Sequence, residues 1–352
     1  MATTSHYKDR QVRLSDEIKK READAFLSSS GIDMIYLAGF SGEGLVFYLP
    51  DEKPYIITDG RYVEEAMRLK DIKLVQIKPG DGYIKTFCML IDRPISILCG
   101  KDFSFRDAEY IRRHSPFRLI DGNDLMSQVI RRTKSKEEIS ILKKAGELSC
   151  EVFYKVKDLL KIGVTEKEIA AFINLEASKV GDGVSFDSIV AFGANSSLPH
   201  YKPQDVKLKE KDIVLIDMGI RFMGYCGDIT RTFIFNGEDN LFSERYQLLS
   251  DAREKAIRSI SEGVELSLPE KIVREHLGEE EKYFIHSLGH GLGLEIHEKP
   301  ILTSVGEANR SKHFSEGDVF TVEPGLYYPG WGGIRIEDDF VIEEGIIKKI
   351  TY

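Results

Sequence analysis

The chain has 352 residues, 42% of them hydrophobic, which exceeds the usual size of one hydrophobic core and predicts two domains. Asp and Glu number 58 against 49 for Lys and Arg, and the formal charge of -9 disfavours nucleic acid as a partner. The four cysteines form no C-x-x-C pair, and the sequence shows neither a signal-peptide core nor an uncharged apolar run of membrane-spanning length. A cytoplasmic protein without a membrane partner is expected.

Residues 1–125 are predicted to form a small α/β domain. Helical spacing of apolar residues runs over 14–30 and stops at a serine-rich turn before Gly31. Turn residues then separate three short strand-like runs, IDMIYLAGF, GLVFYLP and KPYIITDG. RYVEEAMRLK is expected to be helical and ISILCG to be a buried strand, which together indicate sheet layered with helix.

A polar turn separates this domain from residues 126–352. Ser135 with Glu138, and Thr165 with Glu168, have the spacing of capping boxes, so a helix is predicted to follow each pair. The segment DGNDLMSQVIRRTKSKEEISILKKAGELSCEVFYKVKDLLKIG runs from the polar turn into the first of these helices, and its charged residues are interpreted as a solvated face rather than a binding patch.

From Gly181 onward the chain is rich in predicted strands. The segments that favour sheet are IVAFGAN, IVLIDMGI, ITRTFIF, DVFTVEPGLYY and GIRIEDDFVIE. The segments that favour helix are SERYQLLSDAREKAIRSISEG and SLPEKIVREHLGEE. The acids and histidines of chemical interest lie on the strands, and the helices are expected to cover them.

Two aspartates lie on a predicted β-hairpin, IVLIDMGIRFMGYCGDITRTFIF. If the turn centres between Phe222 and Met223, Asp217 and Asp228 lie directly opposite each other, with Cβ atoms about 5 Å apart. Two carboxylates this close repel unless cations lie between them, and the spacing suits two metal ions roughly 3.5–4 Å apart. Taken alone, such a pair is more often two solvated acids.

Two glutamates lie in other predicted strands. Glu323 precedes Pro324, which favours an extended backbone at the glutamate. Glu337 lies two residues after Arg335 and projects from the same strand face, so an ion pair between them would explain that acid alone. It would not explain four such acids.

Four of the eight histidines are candidates for chemistry. His286, His290 and His297 lie in HSLGHGLGLEIHE, and His200 lies in LPHYKP. The alternating glycines of the first segment permit close approach of the backbone and leave the imidazoles little packing to do. Four carboxylates with one imidazole suit manganese, iron, cobalt or zinc better than magnesium alone.

The segments LIDMG, GDITRTF, HSLGHGLGLEIHE, TVEPGLY and GGIRIED together resemble the peptidase family of pita-bread fold that includes aminopeptidase P, prolidase, creatinase and methionine aminopeptidase. The match covers roughly residues 125–352. IDMIYLAGFSGEG followed by ITDGRYVEEA is similar to the small domain that precedes the catalytic domain in the first three of these enzymes. The resemblance therefore implies an α/β domain of the creatinase/prolidase N-terminal type followed by an α+β pita-bread catalytic domain.

The resemblance also implies a centre with two divalent metal ions. Manganese is the first expectation, with cobalt, zinc and iron as alternatives. By similarity, Asp217 ligates one ion, Asp228 and Glu337 bridge both, and His290 and Glu323 complete the second.

For the remaining residues, the resemblance implies roles around a peptide whose second residue is proline. His200 and His297 would donate hydrogen bonds to the carbonyl oxygen or the oxyanion, and His286 would shape the proline side of the cleft. Glu323 would carry the proton, and Arg335 would brace the bridging Glu337.

Aminopeptidase P activity is the first expectation, because LPHYKP around His200 leans towards it rather than towards prolidase, which takes only dipeptides. Creatinase has lost the metals, and the metal-free binding adaptors of this fold have lost ligands, whereas the implied ligand set is complete in this chain. A homodimer is common among relatives and is expected.

Overall fold

The structure, a computed structural model, describes residues 4–306 and 312–352. Contacts between Cα atoms divide the chain into two units, the first ending at Arg131 and the second running from Arg132 to Tyr352. The expected boundary between residues 125 and 126 lies inside the first unit, in a π-helix over Leu125–Ile130. No helix in the described ranges is long and apolar enough to cross a membrane.

The first unit is a six-stranded sheet with helices on both faces. Its elements are α1 (Thr4–Lys20), β1 (Ala25–Ser28), α2 (Gly31–Ala38), β2 (Leu45–Tyr48), β3 (Tyr55–Thr58), α3 (Val63–Met67), β4 (Lys73–Gln76), α4 (Tyr83–Cys88), β5 (Ser96–Cys99), α5 (Phe105–His114) and β6 (Arg118–Asp121). The strand order is β4-β3-β2-β1-β5-β6. The pairs β1–β2 and β2–β3 are antiparallel and the others are parallel.

Every residue of β1 and β2 is buried, because both faces of the sheet are covered. On one face, Phe47 packs in a cluster with Phe87 of α4 and Ile111 of α5. On the other, Tyr48 hydrogen-bonds Ser15 of α1 at 2.8 Å. Successive residues of a strand point to opposite faces of the sheet. A strand that is covered on both faces therefore has a continuous run of apolar residues in the sequence.

Two expectations for the first unit were wrong. The helix predicted over 14–30 ends at Lys20, and the residues Ala25–Ser28 form the central strand β1. IDMIYLAGF, expected as a strand, contains α2, which ends where Gly39 adopts φ +70° and donates its N–H to the Ile35 carbonyl. Short apolar runs buried on all sides fit either structure, and periodicity cannot separate them.

In its described residues, the second unit combines antiparallel sheets with four α-helices. Its elements are α6 (Lys136–Leu159), α7 (Glu166–Val180), β7 (Gly183–Val184), β8 (Ile189–Phe192), β9 (Ile213–Met218), β10 (Ile220–Phe222), β11 (Tyr225–Cys226), β12 (Ile229–Ile234), α8 (Asn240–Arg258), α9 (Leu268–Leu277), β13 (Gly289–Gly291), β14 (Glu298–Leu302), β15 (Val319–Val322), β16 (Gly325–Tyr328), β17 (Gly332–Arg335), β18 (Asp338–Glu343) and β19 (Ile346–Lys349). The sheets have the orders β12-β9-β8, β11-β10-β7, β14-β13-β15-β18-β19 and β16-β17.

Helices α6 and α7 begin where the sequence predicts. Ser135 and Glu138 form a complete capping box, and Thr165 and Glu168 form another, so both predictions are confirmed. Apolar residues of both helices pack in one core cluster with β8 and β9. Helices α8 and α9 pack in a second cluster with β15 and β18. The helices therefore cover the strands, as expected.

Most charged residues of α6 are exposed, as the interpretation of a solvated face expects, whereas the charged residues just before this helix are buried. Arg131, Arg132 and Lys134 are only 3%, 6% and 5% exposed. Arg132 donates to both carboxylate oxygens of Asp318 at 2.8 and 2.6 Å, and Lys134 donates to Glu298 at 3.1 Å. Buried charges of this kind persist because each has a partner of opposite sign.

The hairpin of β9 to β12 has a register that differs from the predicted one. Its turn lies at Met223 and Gly224, which have φ +50° and +83°, as in a two-residue turn of type I′. Asp217 therefore opposes Thr230 instead of Asp228. Because Asp228 is two residues from Thr230, the two aspartates are diagonal neighbours on the same face.

Candidate metal centre

A cavity of about 580 Å³ in the second unit is lined by every residue that the sequence singles out for chemistry. These residues are Asp217, Asp228, His290, Glu323, Glu337, His200, His286, His297 and Arg335. The four acids and His290 lie on or next to strands of different sheets. The structure thus brings together side chains from five segments of the chain.

Backbone contacts hold these segments in place. The N–H of Glu323, just after β15, donates to the carbonyl of Leu288, just before β13, at 2.8 Å. Glu337 forms an isolated bridge with Thr230 of β12. Close approach also needs the predicted glycines, since a Cβ atom at Gly289 or Gly291 would lie 2.1 or 2.2 Å from a backbone oxygen.

His290 points its ring towards the acids. Its Nδ1 lies 3.0 Å from the carbonyl of Gly291, which can only accept, so Nδ1 carries the proton and Nε2 presents a lone pair. Nε2 lies 3.4 Å from Glu323 Oε1 and 3.7 Å from Asp228 Oδ2. Asp228, His290 and Glu337 each offer one atom within 4.8 Å of the others, which is the spacing of metal ligands.

Burial and mutual repulsion raise the pKa values of the acids in the cavity. Burial, followed by repulsion from Glu337, raises the pKa of Asp228 well above its usual value. Burial, followed by repulsion from Glu323, does the same to the pKa of Glu337. Oδ1 of Asp217 and Oδ1 of Asp228 are buried and have no hydrogen-bond partner. Buried oxygens without a donor are costly, so these atoms fit a bound cation.

The imidazole fits the same conclusion. Burial, followed by repulsion from His297, lowers the pKa of His290 to about 3. The ring is therefore neutral at physiological pH, which is the form that binds metals. The donor set of carboxylate oxygens and one imidazole nitrogen suits divalent ions such as manganese, cobalt, zinc or iron.

Arg335 contacts a different acid from the one expected. It forms a buried ion pair with Asp217, and its Nε donates to Thr230 Oγ1 at 3.1 Å. Thr230 Oγ1 in turn donates to Glu337 Oε2 at 2.5 Å. The hydrogen bonds from Arg335 therefore reach Glu337 through the Thr230 hydroxyl, because the hairpin register places Thr230 beside the guanidinium.

His286 belongs to the same chain of hydrogen bonds. Its Nδ1 lies 2.8 Å from the carbonyl of Ser287, so Nε2 accepts from the Tyr327 hydroxyl at 2.9 Å. Tyr327 accepts from Arg335 at 2.7 Å. Both ring nitrogens are thus engaged within the protein, whereas His200 and His297 are exposed at the cavity.

Two further acids, Asp338 and Asp339, were not singled out from the sequence. Asp338 binds Arg231 at 2.7 Å and Arg253 at 2.5 Å. These arginines also donate to the carbonyls of Glu337 and of Val322, which precedes Glu323. The carboxylate of Asp339 accepts the N–H of Asp228 at 3.0 Å. The run of three consecutive acids in GIRIEDDF was the feature of the sequence that could have identified these two residues.

Stability of the metal-free protein should fall as the pH rises from about 7 to about 8.5. Burial raises the pKa of Glu323 to about 8, and the pKa values of Asp228 and Glu337 are also raised. In the unfolded chain these acids lose their protons near pH 4, whereas in the folded chain they keep them to a higher pH. The free energy of unfolding therefore falls as the pH rises through the pKa values of the folded chain. The lowered pKa values of His286 and His290 act only below about pH 6.5.

Urea unfolding of chelator-treated protein at both pH values measures this effect. Manganese should restore more stability at the higher pH, because the cation replaces the missing protons. A metal-free protein whose free energy of unfolding is constant or rises between about pH 7 and about pH 8.5 contradicts the expectation.

Comparison with known proteins agrees with the site. Residues 140–344 match the sequence model of metallopeptidase family M24, and residues 10–92 match that of the creatinase/prolidase N-terminal domain. A putative Xaa-Pro aminopeptidase of Mycoplasma pneumoniae is 32% identical, and the alignment covers 93% of this chain and 92% of that protein.

Two solved structures show the same similarity. The Xaa-Pro dipeptidase from Bacillus anthracis is 30% identical, with a TM-score of 0.88 over 98% of this chain and 97% of that one. The X-Pro aminopeptidase from Thermotoga maritima is 32% identical, with a TM-score of 0.84 over 96% of this chain and 98% of that one. The expected architecture of a creatinase/prolidase-type domain before a pita-bread catalytic domain is confirmed, and this chain is a member of metallopeptidase family M24.

Proposed function

We propose that this chain is an Xaa-Pro aminopeptidase, which hydrolyses the bond between an N-terminal residue and proline in peptides. The observation that carries the proposal is the convergence of three buried acids, the partly buried Glu323 and a neutral imidazole on one cavity, with buried oxygens that have no donor. The similar proteins bear the names Xaa-Pro aminopeptidase and Xaa-Pro dipeptidase, which supports the same bond as the substrate.

Two divalent ions, manganese before cobalt, zinc or iron, would be held by the five ligand candidates. These candidates are Asp217, Asp228, His290, Glu323 and Glu337, whose carboxylate oxygens and imidazole nitrogen would hold the ions. When bound, such ions supply a water of lowered pKa and polarise the scissile carbonyl.

The protein's own residues would orient the substrate and move its proton. Glu323 lies beside His290 with an oxygen facing the cavity, where it can take a proton from the attacking water and deliver it to the proline nitrogen. His297 and His200 line the same cavity and can donate to the developing oxyanion. Arg335, held by Tyr327, keeps Asp217 oriented through their ion pair.

Charge around the cavity bears on the choice between an aminopeptidase and a dipeptidase. A dipeptide places the free carboxylate of proline in the site, where it needs a cation. Among the described residues that line the cavity, the lysines and arginines are Lys202 and Arg335. Arg335 is already paired with Asp217, so the exposed Lys202 is the candidate partner for such a carboxylate among these residues. A longer peptide has no carboxylate at that position and does not depend on Lys202.

A comparison of two substrates tests this assignment. We expect the manganese-loaded enzyme to cleave an X-Pro-X-X peptide with a higher kcat/KM than Gly-Pro, and Lys202→Met to leave the longer peptide unaffected. Chelation should abolish both activities. Cleavage of Gly-Pro alone, lost in Lys202→Met, would instead support the dipeptidase, with Lys202 as the partner of the carboxylate.

A metal-free binding adaptor is the second alternative, and elemental analysis separates it from an enzyme. A chain that contains no metal after exposure to manganese, and that cleaves neither peptide, would be an adaptor. The expectations of a homodimer and of a cytoplasmic location stay predictions, which gel filtration and cell fractionation can test.

A further inference from the structure

Lys134 and Glu298 form an ion pair that is almost completely withdrawn from solvent. Lys134 Nζ lies 3.1 Å from Glu298 Oε2, and each side chain is only 1% exposed. A buried ion pair often contributes little net stability, because two charges lose their hydration. A role in holding one particular conformation is the better-attested reason for such a pair to persist in a protein.

Glu298 directly follows His297 and lies beneath the loop that leads to it. Its Oε1 accepts the N–H of Glu295 at 3.2 Å. A Cβ atom at Gly293 would lie 2.5 Å from Glu298 Oε2, so the backbone of the loop passes close to this carboxylate. The same loop begins after His290, whose ring centroid lies 4.4 Å from that of His297.

Lys134 lies in a segment whose backbone is anchored at two places. Its backbone N–H donates to the carbonyl of Gly317 at 2.9 Å, and the next residue, Ser135, caps α6. The backbone of Lys134 is therefore anchored, and its buried ammonium group lies against Glu298. The pair joins residues 164 positions apart in sequence.

We propose that Lys134 is a positioning residue for His297, acting through Glu298. The inference rests on the proposed role of His297 as a donor to the oxyanion. A donor displaced by about 1 Å loses much of its effect, and such displacements cost up to about 10²-fold in rate.

Arg132→Met provides a matched control. Arg132 lies two residues earlier, forms an ion pair with Asp318, and the two side chains are 7% and 0% exposed. Asp318 accepts the N–H of Ser315 and does not line the cavity. The control thus removes a comparably buried charge from the same segment, at an ion pair that does not line the cavity.

The experiment compares Lys134→Met, Arg132→Met and His297→Ala with the two double variants that contain His297→Ala. In manganese-loaded full-length protein, Lys134→Met should lower kcat for an X-Pro-X-X peptide by about 10²-fold, with a smaller change in KM. Adding Lys134→Met to His297→Ala should cause no further loss, because both changes remove the same donor. Arg132→Met should leave kcat unchanged. In combination with His297→Ala, its effect on kcat should be the same as in the otherwise unsubstituted protein.

A second measurement does not depend on activity. The imidazole resonances of His297 in metal-free protein should shift in Lys134→Met and stay in place in Arg132→Met. If Lys134→Met does not fold, Lys134→Met/Glu298→Gln removes both charges and serves instead.

Additive losses in Lys134→Met/His297→Ala, or unshifted His297 resonances, overturn the inference. A fully active His297→Ala enzyme overturns the oxyanion role itself, and a shift of the His297 resonances would then still support the positioning contact. The failure of the proposed function and the failure of this inference are therefore distinguishable.

Discussion

Replacing Glu323 by Gln is expected to abolish hydrolysis of Xaa-Pro bonds and to reduce metal binding in the same step. Glu323 Oε1 faces His290 Nε2 at 3.4 Å, and both residues line the cavity. An amide keeps the size of the side chain but removes a negative ligand and the proton acceptor. General acid–base catalysis alone contributes about 10²–10⁴-fold, so the loss should be at least that large.

Elemental analysis and kcat measured on one preparation test this expectation. Glu344→Gln is the matched control, because Glu344 is an exposed acid of the same unit, 82% accessible and paired with Lys348. The control should keep its metals and its activity. A Glu323→Gln enzyme with full metal content and near-normal turnover would show that this carboxylate neither binds metal nor moves the proton.

His297→Ala is expected to lower kcat by about 10²–10³-fold while metal content stays nearly intact, because removing one preorganised donor has a cost of this size. His297 lines the cavity and packs its ring against that of the ligand candidate His290, with centroids 4.4 Å apart. Since the donor acts on charge that develops during reaction, KM should change less than kcat.

His276→Ala is the control for this variant. His276 lies on α9, hydrogen-bonds Lys255 at 2.8 Å and does not line the cavity. Turnover and metal stoichiometry should both match those of the unsubstituted protein. An active His297→Ala enzyme, or one that has lost its metals, contradicts the assigned role.

Local structure was predictable where short-range chemistry decides it. The capping boxes at Ser135 and Thr165 lie where they were predicted, because each depends only on residues three positions apart. The helix α2 was not predictable, because it is short and almost wholly apolar, and periodicity does not separate such a run from a strand. The type of a short buried segment is set by what packs around it.

The hairpin of Asp217 and Asp228 shows the limit of local reasoning within the site. Both acids were expected on one face of paired strands, and both line the cavity. The register was displaced by two residues, because the turn uses Met223 and Gly224, both with positive φ. Since side chains repeat every two residues along a strand, this displacement kept both acids on the same face.

The sequence by itself determined which residue types were available for the site and in what order they follow along the chain. Only the tertiary structure decided their partners: Arg335 pairs with Asp217, Asp338 binds two arginines, and Lys134 reaches Glu298. These contacts join residues 85 to 164 positions apart in sequence. Charge pairing at that range depends on how strands and helices pack, and no local pattern encodes it.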